Sequence, residues 1–405
     1  MIYKKLLFTV FLALYTLIIP ISSSAAPLPP KPLENVSDFI ASVNASANNP
    51  ASVSEAPVAA GLSAGGKAES EILLSVSVEL STDPGNPTGF AVRAARTNWF
   101  KAGDLTEATL RISNLRRELL GKYQAPTNRW GFGAISHDIS ITDVRQFISE
   151  SRTLHTSQAS YRNMWSRATA LGQWGAGWGL EEFRLDSASD IAPFLKAYVA
   201  NQGTHSHAVP ILGYWVFDRR PSEVVLPQGH MDQANLEWGT GLGSIEYIKL
   251  DYYHESYFLL SPVVSAGFGL SLGHIKGIGR DYSPLTKRYF GGGTGSVRGY
   301  EAGAIGPVDS SGAVTGANNK TAVTTELLWN AFNIGPTPVI LSTFYDWGRY
   351  TAADFSVTNG ATASSYGLGV SLPLGFGLVR FSFAKPQNNE LRTQNFQFEA
   401  RASWK

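Results

Sequence analysis

Arg298 stands among seven glycines in the stretch Arg288 to Pro307, which reads RYFGGGTGSVRGYEAGAIGP. The Arg298 guanidinium is a fixed cation with a planar five-donor fork, a shape suited to bidentate pairing with carboxylates. Gly291, Gly292 and Gly293 permit positive φ and close backbone approach, as a packed loop requires. A glycine-rich loop loses much chain entropy on ordering, so it needs outside support. The natural anchor is Arg298 bound to an acid elsewhere, and Glu326 and Asp346 are the two candidates. A second group of reactive types is His205-Ser206-His207, with Glu181 and Asp186 upstream. A Ser-His-acid set hydrolyses esters or amides only in the right geometry, and a His pair holds a metal only with further ligands in place. Three residues of mixed type in a polar loop are more often solvated surface. No enzyme activity, metal or cofactor is therefore expected.

The elements that must position these residues alternate. Ile72, Leu74, Val76, Val78 and Leu80 share one parity, and Ser75, Ser77, Glu79 and Ser81 the other. Successive side chains of a strand point to opposite faces, so this segment is a strand with an apolar and a polar face. Trp174, Ala176, Trp178 and Leu180 repeat the pattern, as do Val264, Ala266, Phe268, Leu270 and Leu272 against small partners. In Thr321 to Ala331 the apolar parity is Val323, Leu327 and Trp329, which puts Glu326 on the polar face. In Val339 to Tyr350 the same logic puts Asp346 with Ser342, Phe344 and Gly348. Phe396, Phe398, Ala400, Ala402 and Trp404 oppose Gln397, Glu399, Arg401 and Ser403 in the last segment. Ser187 to Ala200 breaks the alternation and has helical spacing through Ile191, Phe194, Leu195 and Val199, as a loop helix does.

Composition agrees with these faces. The 405-residue chain has a net charge of +1, which gives no reason to expect nucleic-acid binding. Cysteine is absent, which excludes disulfides and thiolate sites. Charged residues are 16%, against roughly 25% in soluble domains, and glycine and aromatics are abundant. A transmembrane β-barrel has this average, because its lipid-facing and lumen-facing residues alternate and cancel. Met1 to Ala26 reads as a secretory signal peptide, with Lys4 and Lys5, an apolar core, and Ser24-Ala25-Ala26 for cleavage. Residues 27–71 are rich in Pro, Ala, Ser and Asn and read as a flexible periplasmic arm. Residues 72–405 are expected to form an all-β barrel of about 16 antiparallel strands, at about 9–11 residues per span.

The stretch FGGGTGSVRGYEAGAIGP resembles the sixth extracellular loop of the BamA/TamA family of outer-membrane assembly barrels, also called bacterial surface antigens. Asp218-Arg219-Arg220-Pro221 with Leu226-Pro227-Gln228-Gly229 is similar to a periplasmic-hairpin motif of the same family. The resemblance implies that residues 274–318 fold inward as a sixth extracellular loop, with Gly291, Gly292, Val297, Gly299 and Tyr300 as its signature. It implies that Arg298 is received by Glu326 and Asp346 on the inner wall. It further implies a seam between the first and last strands, assigned to Val76 and Val78 against Phe396, Phe398 and Trp404. The expected setting is the bacterial outer membrane. The expected partners are its lipid, client β-barrel or secreted proteins, and a periplasmic accessory subunit. Family barrels usually follow periplasmic POTRA domains, and the 27–71 segment is too short to build one. A gated passive channel on the same scaffold is the alternative.

Overall fold

The computed structural model describes residues 72–404, apart from 82–87, 126–132, 151, 187–191, 222–225, 280, 352–357 and 375–376. The expected signal peptide and arm lie outside the described residues. The described chain forms sixteen strands: β1 (Ile72–Ser81), β2 (Gly89–Thr97), β3 (Leu105–Ser113), β4 (Arg116–Ala125), β5 (Ala134–Phe147), β6 (Thr153–Thr169), β7 (Gly172–Asp186), β8 (His205–Asp218), β9 (Gly229–Thr240), β10 (Tyr247–Ser261), β11 (Val264–Gly277), β12 (Asn319–Ile334), β13 (Thr337–Thr351), β14 (Gly360–Leu374), β15 (Gly377–Pro386) and β16 (Phe396–Trp404). Each strand pairs with its sequence neighbour, and β1 pairs with β16, so the sheet closes into an antiparallel barrel. Several strands run longer than their alternation alone indicates, because ladder hydrogen bonds carry them past the apolar band into each rim.

The expected faces are present. Trp174, Trp178 and Leu180 of β7 are exposed, as are Leu327 and Trp329 of β12 and Tyr345 of β13. Glu326 and Asp346 take the opposite parity, the inner face of the closed sheet. Hairpin connections alternate between the two ends of such a barrel. The segment 278–318 joins β11 to β12 and is the sixth connection at its end. The strand before it runs to Gly277, so the loop begins four residues later than the expected 274.

Among the described residues, the β1–β16 ladder is the shortest between neighbouring strands. It spans six register positions, from Val76↔Trp404 to Ser81↔Glu399. By comparison, β1 meets β2 over eight, and β12 meets β13 over fifteen. Ile72, Leu73, Leu74 and Ser75 pair only with β2 among the described residues.

The expected loop helix is α1 (Pro193–Gln202), between β7 and β8. Pro193 suits the first helical position, where an N–H has no partner inside the helix. Gly203, at φ 73, ends the helix and donates its N–H to the Val199 carbonyl. Phe194, Leu195 and Tyr198 pack with Ile148, Leu154, Leu285 and Ala313, so the helix is joined to the sixth loop by an apolar cluster.

Candidate functional site

The sixth loop is ordered by short-range devices before it touches the wall. Tyr289 and Ala317 form a two-way backbone bridge, as do Gly291 and Ile305. Arg288 binds the Ser283 hydroxyl at 3.0 Å and the Thr315 carbonyl at 3.3 Å, which closes the loop's base. Asp309 accepts from the backbone N–H of Ser311 and Ala313 and from the N–H of Phe194, capping α1 from another loop. Burial pushes the Asp309 carboxyl up, but these hydrogen bonds outweigh it and hold the group below the usual carboxylate range.

Arg298 then meets both acids named from the sequence. Its Nε and Nη2 donate to the two carboxylate oxygens of Asp346 at 2.7 and 2.8 Å. Its backbone N–H reaches Asp346 Oδ2 at 3.0 Å, and Nη1 reaches Glu326 Oε1 at 3.0 Å. The guanidinium lies 3.5 Å from the Phe344 ring centroid, a stacking distance. Burial lowers the affinity of Arg298 for its proton, but the two carboxylates outweigh it, so its pKa lies above its ordinary value. Side-chain exposure is 6% for Arg298 and 1% for Asp346, so the pair is held out of water.

The other signature residues make room for this pairing. Val297 is fully buried and fills the space over Gly348, where a Cβ would sit 2.7 Å from its methyl. Gly299 has φ +89 and would place a Cβ 2.9 Å from that of Ala384, so both conformation and space exclude a side chain. Tyr300 is buried, and its hydroxyl donates to the Ser364 carbonyl at 2.9 Å. Gly291 abuts the Tyr350 ring, and Gly292 the Glu301 carbonyl.

A second anchor was not legible in the sequence. Lys287 is bound by Glu181 at 2.7 Å and by Glu237, and its ammonium lies over the Phe183 and Tyr247 rings. Arg162 reaches Glu181 at 2.8 Å, and Tyr247 donates to both acids. Tyr289 adds a third tie, donating to Asp251 of β10 at 2.7 Å. Lys287 lies just before the recognisable motif, and its acids sit on β7 and β9, remote in the chain. Only the register of an already closed barrel brings them together.

The expected loop placement of the histidine group is corrected by the topology. His205, Ser206 and His207 open strand β8 and are not in a loop. Ser206 is buried, whereas the neighbouring imidazoles are exposed on the other parity. Glu181 is committed to Lys287, Arg162 and Tyr247, and Asp186 ends β7 opposite His155. These residues do not assemble a nucleophile, a base and an orienting acid.

At the other end of the barrel, described residues between β8 and β9 are tied to the wall. Arg220 pairs with Asp218 and with Glu255 at 3.1 Å, and Leu226 packs with Tyr257, Leu328 and Ile340.

This geometry can be set beside known proteins. The Omp85 superfamily domain matches residues 98–404. The chain belongs to the Omp85 superfamily. It is an outer-membrane β-barrel of that family. It is 28% identical over 250 residues to the outer membrane protein assembly factor BamA of Neisseria meningitidis serogroup B. That match covers 51% of the chain and 31% of the relative, so the chain spans less than a third of that relative's length. The barrel is similar to the structure of Haemophilus ducreyi BamA lacking POTRA domains 1–3, at a TM-score of 0.71 and 15% identity over 82% of the chain and 70% of that protein. It is also similar to CdiB from Acinetobacter baumannii, at a TM-score of 0.53 and 15% identity over 82% of the chain and 60% of that protein. Of the residues expected at a seam, Phe396 and Phe398 pair with Phe383 and Phe381 of β15 and with no β1 residue among the described residues, because the β1–β16 ladder stops at Glu399. Val76 stands opposite Trp404 and Val78 opposite Ala402, while Phe396 and Phe398 are on β16 toward its loop end.

Proposed function

We propose that this Omp85 barrel passes outer-membrane or secreted polypeptides through the boundary between β1 and β16, with the sixth loop folded into the lumen as a brace. One observation carries the reading. Among the described residues the β1–β16 ladder covers six positions, fewer than any other pair of neighbouring strands. A strand edge with free N–H and C=O groups templates an incoming strand by β-augmentation. The client is thus a segment of alternating polarity, one that can match the Leu74, Val76 and Val78 parity. The relative named an assembly factor supports this class of client. The loop, on this reading, faces the cell exterior, and β1 begins on the periplasmic side, where an accessory subunit delivers clients.

A second reading has its own support. The inner residues of β5, Ser136, Asp138, Ser140 and Thr142, are only half-buried. A polar, water-accessible wall suits a gated passive channel. The two readings separate in living cells. A photocross-linker at Val76 is expected to capture nascent barrel or secreted chains. Capture of β16 alone, near its partner Trp404, sinks the insertion reading, and conductance measurements on the purified barrel then test the channel.

A further inference from the structure

The sixth loop does not stop at β12 and β13. Immediately after Arg298, two residues grip the last strand and the segment that leads into it. Gln397 of β16 is 1% exposed, and both ends of its amide are used by the loop backbone. Its Nε2 donates to the Tyr300 carbonyl at 3.0 Å, and its Oε1 accepts the Gly299 N–H at 3.4 Å. Around it, the Gln394 N–H donates to the Gly299 carbonyl at 2.8 Å, the Glu301 N–H to the Arg392 carbonyl at 3.2 Å, and the Asn388 N–H to the Tyr300 hydroxyl at 3.0 Å. Arg392 pairs with Glu301 at 3.1 Å. Gly299 is pressed on Ala384 of β15 between these contacts.

Three consecutive residues therefore bridge from β13 to β16. Adjacent Cα atoms are about 3.8 Å apart, so Arg298 and Tyr300 cannot part by more than about 7 Å. A displacement of the arginine is passed directly to the residues that hold β16. The strand so held is the one with the shortest ladder, six positions with β1 and seven with β15. We propose that Gln397 is a positioning residue that couples the loop to the last strand. When Arg298 leaves Asp346, β16 loses its inner-face support through Gln397, and its ladder with β1 loosens. The partner of the loop is thus the boundary strand itself. The inference rests on the reading of the β1–β16 boundary as one that opens.

The absence of cysteine in the chain makes the test clean. Cysteines are placed at the register partners Leu80 and Ala400, and a second pair at Val76 and Val92 across β1–β2 serves as control. The rate of cross-strand closure by a short bismaleimide is measured in the full-length barrel in outer membranes, with heat-modifiable mobility as the check on folding. Two hydrogen bonds from Gln397 correspond to about a tenfold shift in the open-to-closed ratio. Gln397→Leu is expected to slow Leu80–Ala400 closure about tenfold and to leave the control pair unchanged. Arg298→Ala is expected to slow it comparably, and to add little once Gln397 is already Leu. Equal effects of Arg298→Ala with and without Gln397, or unchanged closure in Gln397→Leu, overturn the coupling. If the leucine variant fails to fold, Gln397→Glu, which keeps size and the acceptor but loses the donor, is measured in its place. The cysteine pair reports the strand and not the client. A barrel that passes no polypeptide can still show the coupling, and a barrel that captures clients from Val76 can still lack it.

Discussion

Two walls of one barrel are built from the same alternating strands, yet they are held by different means. On β13 every inner residue from Ser342 to Tyr350 is buried, with Phe344, Asp346 and Gly348 among them. On β5 no inner residue from Ser136 to Thr142 is. The first wall is covered by the sixth loop. The second carries its polar groups in lateral ladders: Arg111 and Arg116 share Glu118 at 2.8 and 2.7 Å, Ser140 meets Ser160 at 2.7 Å, and Arg93 pairs with Glu107. A ladder of this kind is satisfied within the sheet and by water, so it needs no loop. Buried Asp346 instead takes its donors from the loop, since a carboxylate out of water is tolerated only when paired. The β13 wall therefore depends on long-range contacts, and the middle of β5 on its strand neighbours. The loop thus braces β13, β15 and β16 on one side of the β1–β16 boundary, while the middle of β5 on the other side lacks that brace.

Removing the brace should change the first wall far more than the second. Arg298→Ala strips Asp346 of its two guanidinium donors and leaves it buried and charged with the backbone N–H of residue 298 alone, at a cost of about 3–5 kcal/mol for a broken buried pair. The expected result is cleavage within residues 288–307 by added protease, in a barrel that still shows heat-modifiable mobility. Arg298→Lys should restore little, because an ammonium cannot repeat the two-pronged contact. Protection that survives in the alanine variant breaks the comparison.

Lys287→Met tests the other tie. Glu181 and Glu237 keep Arg162 but lose the ammonium, which costs about 1–3 kcal/mol for carboxylates left under-satisfied. Proteolysis at the loop base near Leu285 should rise, with the Arg298 region still protected. Loss of protection at both places would show that the two anchors act as one.

Gly299→Ala comes next. A positive φ and a 2.9 Å approach to Ala384 together cost about 1–2 kcal/mol. A modest rise in loop hydrogen exchange at 299–301 is expected, without release of Lys287.

Much of this arrangement was legible in one dimension, and the reason is the period of two. Apolar residues at alternate positions in β12 and β13 assign Glu326 and Asp346 to the inner face before any coordinate is known. Arg298, in the middle of the glycine-rich motif, then has few rational partners. Lys287 was hidden because nothing in the spacing relates it to β7 and β9. Glu181 was weighed as a partner for His207, yet the register puts His207 opposite Glu182 and leaves Glu181 facing the loop. One residue of offset changed the face and therefore the chemistry. The grip of Gln397 on the loop was equally hidden, since an inward glutamine on a strand reads as ordinary lumen lining.

The smallest expected effect sharpens the comparison most. Ser140→Ala on β5 removes one hydroxyl pair with Ser160 from a half-buried site. Water can replace the lost partner there, so the cost should stay below about 1 kcal/mol. Ser365→Ala on β14 is the matched change on the other wall. That residue is fully buried beside Gly299, and its hydroxyl has no hydrogen-bond partner among the described residues. Removing an unsatisfied buried hydroxyl should be neutral or slightly stabilising. Urea unfolding of the two variants in lipid vesicles measures both. A small loss at Ser140 and none at Ser365 means that polar groups count on the bare wall and shape counts on the braced one. A larger loss at Ser365 would mean that a water or polar partner sits between the loop and the wall, and the braced wall would then be as wet as the other.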